Sequence, residues 1–195
     1  MCSRFELNHS AREVAARFGL VEPPPLPNQA EVRPTDRALV IAAGGRTWLL
    51  AWGLAVEWDK RPLINARAET LAERPTFRRL LGHRVLVPAS CWFEWMPRPG
   101  AKAKTRMRIR PADHGPFALA GLVDNGRFTI VTCAARPDLA HIHSRMPVAL
   151  PPDKEALWLD PATPIADLGA VLAPTDAPLE ATADDTSPTA QGLFD

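Results

Sequence analysis

The chain has 195 residues, 46% of them hydrophobic and 23% charged, with a formal net charge of +1 at pH 7. This is the length and composition of one ordinary soluble domain with a real core. No apolar run approaches the roughly 18 residues of a membrane span, and the start lacks the basic-then-apolar pattern of a signal peptide. Three scattered cysteines (Cys2, Cys91, Cys133) with no CxxC exclude a disulfide framework and a cysteine-rich zinc site, and point to a reducing, cytoplasmic setting.

In chain order, Ser10 and Glu13 make a capping box, and Val14, Ala15 and Phe18 follow at helical spacing until Gly19. The stretch VEPPPLPNQ (21–29) is a Pro-rich surface connection. ALVIAA (38–43), Gly44-Gly45 and RTWLLAWG (46–53) read as a hairpin. TFRRLLGH (76–83) reads as a short helix. RVLVPASCWFEW (84–95) reads as a long apolar strand interrupted at Pro88. KTRMRIR (104–110) is a strand, and FALAGLV, Asp124-Asn125-Gly126 and RFTIVTCA form a hairpin over 117–134. A short strand follows near MPVAL (146–150), and Pro152 opens a helix. The expected fold is α+β, with mainly antiparallel sheets forming a barrel-like core and a few peripheral helices.

Charge is unevenly spread. After Lys154 there is no Lys or Arg, and residues 171–195 carry five acids, leaving 23 basic and 17 acidic side chains in the first 170 residues. A modestly basic body permits a nucleic-acid partner without demanding one. We expect a domain over residues 1–172 and an acidic, disordered tail over 173–195. In KAKTRMRIR (102–110), basic residues alternate with Ala, Thr, Met and Ile, which describes either a solvated edge strand or a stripe that tracks phosphates.

Five stretches carry candidate chemistry: MCSRF (1–5), WGL (52–54) with Trp58 beyond, PLINARAET (62–70), SCWFEW (90–95) and HIHSRMP (141–147). Each has a plain alternative. Glu94 could point outward by strand alternation, Asn65 could satisfy a loop, His141 and His143 could be surface histidines, and Trp52 could fill the core. Cys2 is the distinctive residue. Removal of Met1 would leave it with a free α-amine and a thiol two carbons apart, a 1,2-aminothiol that reacts with aldehydes.

Taken in order, these stretches resemble the SOS response-associated peptidase (SRAP) family. The carrying motifs are MCSRF, EVRPT (31–35), WGL, INARAET (64–70), PASCWFEW (88–95) and IHSRMP (142–147), and the likeness covers residues 1 to about 160. The resemblance implies a sensor of abasic sites in single-stranded DNA that forms a covalent thiazolidine through Cys2 and shields the lesion. It needs no cofactor or metal and acts as a monomer near the nucleoid. It implies catalytic roles for Cys2, Asn65, Glu94 and His143. Glu94 would manage protons, His143 would open the sugar ring, and Asn65 would hold the N-terminus. It implies DNA contacts by Arg4, Pro34, Trp58, Arg67 and Arg145, with arginines binding phosphates by their planar forks.

Ser3 stands where the family has glycine, Glu31 where it has asparagine, and Cys91 where it has glycine before the aromatic pair. An acid at position 31 would repel phosphate if it faced the DNA. Other readings stay open: a thiol peptidase with Cys2 as nucleophile and His143 as base, a non-catalytic single-strand-binding module, and a metal site using His141 and His143. The chain ends TAQGLFD, where Leu193 and Phe194 weakly match peptides that dock on bacterial sliding clamps.

Overall fold

The computed structural model describes residues 2–27 and 31–184. Strand β1 (Phe5–Glu6) leads into helix α1 (Ala11–Phe18). The capping box is complete. Glu13 N–H donates to the Ser10 hydroxyl at 3.3 Å, and Ser10 N–H donates to the Glu13 carboxylate at 2.8 Å. Gly19 ends the helix at φ 61, a left-handed conformation that costs glycine nothing. β2 (Arg37–Ala42) and β3 (Arg46–Trp52) form the expected antiparallel hairpin. β4 (Leu54–Val56) and β5 (Asp59–Leu63) make a second hairpin with Trp58 in its turn, and β6 (Asn65–Arg67) follows.

Residues 75–96 differ from expectation in two places. The helix expected over 76–83 is only the single turn α2 (Pro75–Arg78), continued by hydrogen-bonded turns in which His83 N–H reaches the Leu80 carbonyl at 2.8 Å. The long apolar run is two strands, β7 (Arg84–Ala89) and β8 (Cys91–Met96), which belong to different sheets. The break falls at Ser90 and not at Pro88. Pro88 sits inside β7 opposite Ala118. β2 meets β7 only at Leu86, so beyond it a strand partner lies on one side, which tolerates the missing proline N–H. Ser90 turns the chain. Its N–H donates to the Glu6 carbonyl at 2.6 Å, and its hydroxyl accepts the Asn8 N–H at 2.9 Å.

β9 (Thr105–Pro111) pairs with β8. β10 (Phe117–Asp124) and β11 (Arg127–Ala134) form the expected hairpin, its turn made by Asn125 and Gly126 at positive φ. β12 (Arg145–Pro147), β13 (Ala149–Leu150) and helix α3 (Pro152–Leu159) come next. Helix α4 (Gly169–Leu172) precedes β14 (Leu179–Ala183).

The fold is mixed α+β, mostly sheet. A four-stranded sheet has the order β1-β8-β9-β14. In the eight-stranded sheet the pairings run from β11 through β3, β2, β7 and β10 and return to β11, closing a ring. All pairings are antiparallel except those of β3 and β6 with β11, which are parallel. Trp52 is fully buried in the core. It meets Phe5 edge-on at 5.1 Å and stacks on Phe128 at 6.4 Å, and its indole N–H donates to the Ile64 carbonyl at 2.9 Å.

The segment from residue 173 is not a loose tail as far as Ala183, because the whole of β14 pairs with β9, from Leu179↔Pro111 to Ala183↔Met107. β9 is therefore no edge strand. Its arginines are ion-paired: Arg106 with Glu31 and Asp184, Arg108 with Glu6 and Asp184, and Arg110 with Glu180. Glu180 and Asp184 of the segment expected to be an acidic tail, together with Glu6 and Glu31, pair with the arginines of β9, so that face is not an open phosphate stripe. Gln191, Leu193 and Phe194 lie outside the described residues.

Gly53, in the WGL stretch, has φ +116, and a Cβ there would sit 2.6 Å from the Pro62 Cβ. Gly53→Ala should cost about 2–4 kcal/mol by strain and overlap. Urea denaturation would measure this as a lower midpoint with an unchanged slope.

Candidate active site

The sheet register gathers the N-terminus onto β8. Phe5 lies opposite Trp92 and Glu6 opposite Cys91. Phe93 N–H donates to the Arg4 carbonyl at 3.0 Å. Carried back along the same register, Ser3 falls opposite Glu94. Cys2 is fully buried, and its thiol points to the Arg4 carbonyl at 3.6 Å. Burial pushes that thiol far above its ordinary range, and the charge of Glu94 adds to the rise.

Asn65 arrives from β6, paired beside Ile130 of β11. Its Nδ2 donates to the Cys2 carbonyl at 2.8 Å. Its Oδ1 is buried and has no hydrogen-bond partner among the described residues, which leaves an acceptor beside Cys2. Asn65 is thus a clamp on the Cys2 main chain and not a loop filler.

Glu94 is 2% exposed, on a stretch of β8 buried on both faces, so alternation does not carry it out to solvent. Burial pushes its carboxyl up to about 7, while the positive charge of the amino terminus pulls the other way. His143 stands just before β12. Its Nδ1 lies 3.0 Å from the Arg145 backbone nitrogen and 3.2 Å from the Arg145 carbonyl oxygen, so that main chain engages Nδ1 in either tautomer and Nε2 takes no part in the contact. Burial pushes this imidazole down, the amino-terminal charge, Lys104 and the Arg145 charge act in the same sense, and the Arg145 backbone hydrogen bond opposes them; the net fall favours the neutral ring near pH 7. Glu94, His143, Arg145 and Met146 line one narrow recess together with Trp92 and Ile142. Cys2, Asn65, Glu94 and His143, far apart in sequence, are therefore brought to one place. It holds a carboxyl that can take or give a proton near neutrality, a neutral imidazole, and the anchored main chain of Cys2.

The proposed DNA contacts divide. Arg67 is exposed, with no ion pair among the described residues, and Trp58 is 64% exposed. Pro34 is half-buried next to Thr35, which holds a strained φ of 78. A groove lined by Thr35, Val56, Asp59, Lys60, Pro62 and Arg127 runs beside the segments carrying Pro34 and Trp58. Arg145 differs from expectation. It makes a two-pronged pair with Glu69 at 2.6 and 2.9 Å and donates to the Thr132 carbonyl at 2.7 Å. It braces the β11–β12 wall of the recess and is not a bare phosphate ligand. Arg4 is likewise engaged, with Glu31 at 3.3 Å and the Ser3 carbonyl at 2.6 Å.

Sequence reasoning missed Glu69 and Thr132 as the partners of Arg145, although Glu69 lies within INARAET and could have been paired with the arginine of IHSRMP. His141 is exposed, away from the recess-lining His143, and no group of three His, Cys, Asp or Glu able to hold a metal occurs among the described residues. No helix of the described residues is long and apolar enough to cross a membrane.

Comparison with known proteins gives a consistent answer. The family described as SOS response associated peptidase (SRAP) matches residues 1–185. Abasic site processing protein YoaM of Bacillus subtilis is 35% identical over 199 aligned positions, covering 91% of this chain and 87% of that protein. Abasic site processing protein YedK of Escherichia coli is 40% identical over 118 positions, covering 55% of this chain and 52% of that protein. Among solved structures, a protein from Bacteroides thetaiotaomicron superposes with a TM-score of 0.80 at 26% identity, covering 93% of this chain and 91% of the other.

Proposed function

The chain belongs to the SOS response associated peptidase family, and on that premise we propose that it processes abasic sites in single-stranded DNA, capturing them covalently through Cys2 after Met1 is removed. The relatives are named for abasic site processing. The observation that carries the finer reading is the anchored Cys2: its carbonyl is held by Asn65 beside a buried carboxyl whose charge reaches the thiol.

The open-chain sugar of an abasic site presents an aldehyde at C1′. The α-amine of Cys2 adds to that carbon, and loss of water leaves a C=N bond. The thiol sulfur then adds to the same carbon as its proton moves to nitrogen, closing a five-membered thiazolidine. One C–N and one C–S bond form, and the carbonyl oxygen leaves as water. An α-amine has a reference pKa near 7.7–8.0, so roughly a tenth is neutral at pH 7, against about one part in a few thousand for a lysine. Ring closure is intramolecular, and good orientation of such steps is worth on the order of 7–11 kcal/mol.

Glu94, poised near neutrality, takes the proton released by the amine and returns it to the departing hydroxyl. His143, with Nδ1 engaged by the Arg145 main chain, presents Nε2 and in its Nε2–H form donates to the ring oxygen as the sugar opens. Asn65 fixes the residue that reacts. Arg67 and Trp58 receive the strand outside the recess, by phosphate pairing and base stacking. The setting is cytoplasmic and nucleoid-associated.

A thiol peptidase needs a thiolate. The Cys2 thiol is held in its neutral form by burial and by Glu94, which counts against that reading. Acetylation of the Cys2 α-amine separates the two chemistries. It should abolish the crosslink to abasic DNA completely, whereas an undiminished crosslink by the acetylated protein would refute the role of the amine. Arg67→Ala should weaken binding to undamaged single strands and lower the slope of log affinity against log salt by about 0.7, the loss of one phosphate contact. Fluorescence anisotropy at several salt concentrations would measure it.

A further inference from the structure

Outside the recess, one carboxylate is surrounded by three guanidinium groups. Glu31 pairs with Arg4 at 3.3 Å, with Arg33 at 3.0 Å, and with Arg106. The three arginines come from three separate places: the N-terminus, the segment before β2, and β9. Arg106 is held in place from two other directions. Its guanidinium lies 3.8 Å over the Phe93 ring and pairs with Asp184 at 3.0 Å. Arg4 is fixed by the Ser3 carbonyl. Arg4 and Arg106 are thus positioned by groups other than Glu31, Arg33 reaches in on Glu31 alone, and the three forks converge on a point that Glu31 fills. Arg33 is the most open of them, its side chain 63% exposed.

A carboxylate offers two oxygens and one negative charge in a plane, as the two non-bridging oxygens of a phosphodiester do, and arginine forks bind either. Asp184 answers part of the charge of Arg106, and the other two arginines still share the one carboxylate of Glu31. The cluster is also close to the chemistry, since Arg4 lies two residues from Cys2 and its carbonyl accepts from both the Cys2 thiol and Phe93 N–H. We propose that Arg4, Arg33 and Arg106 form a binding site for a backbone phosphate of the single strand flanking the lesion, and that Glu31 occupies this site in the free protein and yields it to DNA. The proposal rests on the DNA-binding reading above. It makes Glu31 a built-in competitor that lowers affinity for undamaged strands, so that retention depends on the covalent step.

The test uses the full chain and a labelled oligothymidylate without a lesion, titrated by anisotropy at several salt concentrations. Glu31→Gln should bind about three- to tenfold more tightly, as expected for relief of one nearby like charge, with a salt slope steeper by about 0.7. Arg33→Ala changes an exposed side chain and leaves the core untouched. It should weaken binding about threefold and flatten the slope by about 0.7. Inorganic phosphate at matched ionic strength should displace the strand only weakly. Unchanged or weaker binding by Glu31→Gln, an Arg33→Ala variant that binds as the wild type, or full displacement by free phosphate would each overturn the proposal. Crosslinking of the wild type to an abasic oligonucleotide, run alongside, separates failure here from failure of the functional reading. A wild type that crosslinks while Glu31→Gln gains nothing refutes only the phosphate site.

Discussion

Cys2→Ala should eliminate the stable protein–DNA adduct, lowering its yield on abasic single strands to background on a denaturing gel. The variant keeps an α-amine, so it can still form an imine, but without sulfur no ring closes and the imine hydrolyses. Cys2→Ser should give at most a weak, reversible adduct, because oxygen closes a less stable ring. The fold should survive. Cys2 is a small buried residue, and its truncation removes one sulfur from the core, at a cost of about 1 kcal/mol. Affinity for undamaged strands should stay near the wild-type value, so loss of the adduct would report chemistry and not binding. A full-strength, heat-stable adduct from Cys2→Ala would remove Cys2 from the mechanism.

Glu94→Gln should slow adduct formation about 10²–10³-fold, the usual scale for a lost general acid–base group, again with little change in binding. The wild-type rate should rise with pH in two steps, one near 7 as Glu94 ionises and one near 7.7–8.0 as the α-amine loses its proton, and the variant should keep only the second. Stability carries a matching signature. The folded carboxyl has its pKa raised to about 7, above the unfolded value near 4.3. The folded state therefore holds more protons between those two values, and stability falls as pH rises through that window and levels off above it. Glu94→Gln removes this fall, so its urea midpoint relative to the wild type should be higher at pH 8 than at pH 4. Equal pH profiles of rate for the two proteins would mean that Glu94 does not handle the proton.

Much of the fold is legible locally. Ser10 and Glu13 specify the start of α1, Gly19 its end, and Asn125-Gly126 the β10–β11 turn, because each depends on backbone conformation within a few residues. Glu94 shows where local reading stops. Alternation says only that it shares a face with Trp92, and which face is inside depends on β1 and the His143 loop. The ends of β7 and β8 depend on Ser90 meeting Glu6 and Asn8. β14 was illegible because LEATA is short and weakly apolar, and its order comes from the arginines of β9 some seventy residues earlier. The same long range hides the pairing of Arg145 with Glu69 and of Glu31 with its three arginines. In each case a charged residue looks like a free surface group until its partner from another element is in place.

The central claim is that residue 2, by its amine and thiol together, holds the lesion. The most direct measurement mixes the purified protein with single-stranded DNA carrying one abasic site, without any reductant. The sample is denatured by heat, digested with nuclease and protease, and the adduct located by mass spectrometry. The expected product is a heat-stable adduct formed only with abasic DNA, lacking Met1, and carried on the N-terminal Cys2 with the mass of the sugar aldehyde less one water. An adduct carried on a lysine, or one that survives only after borohydride trapping, would contradict it.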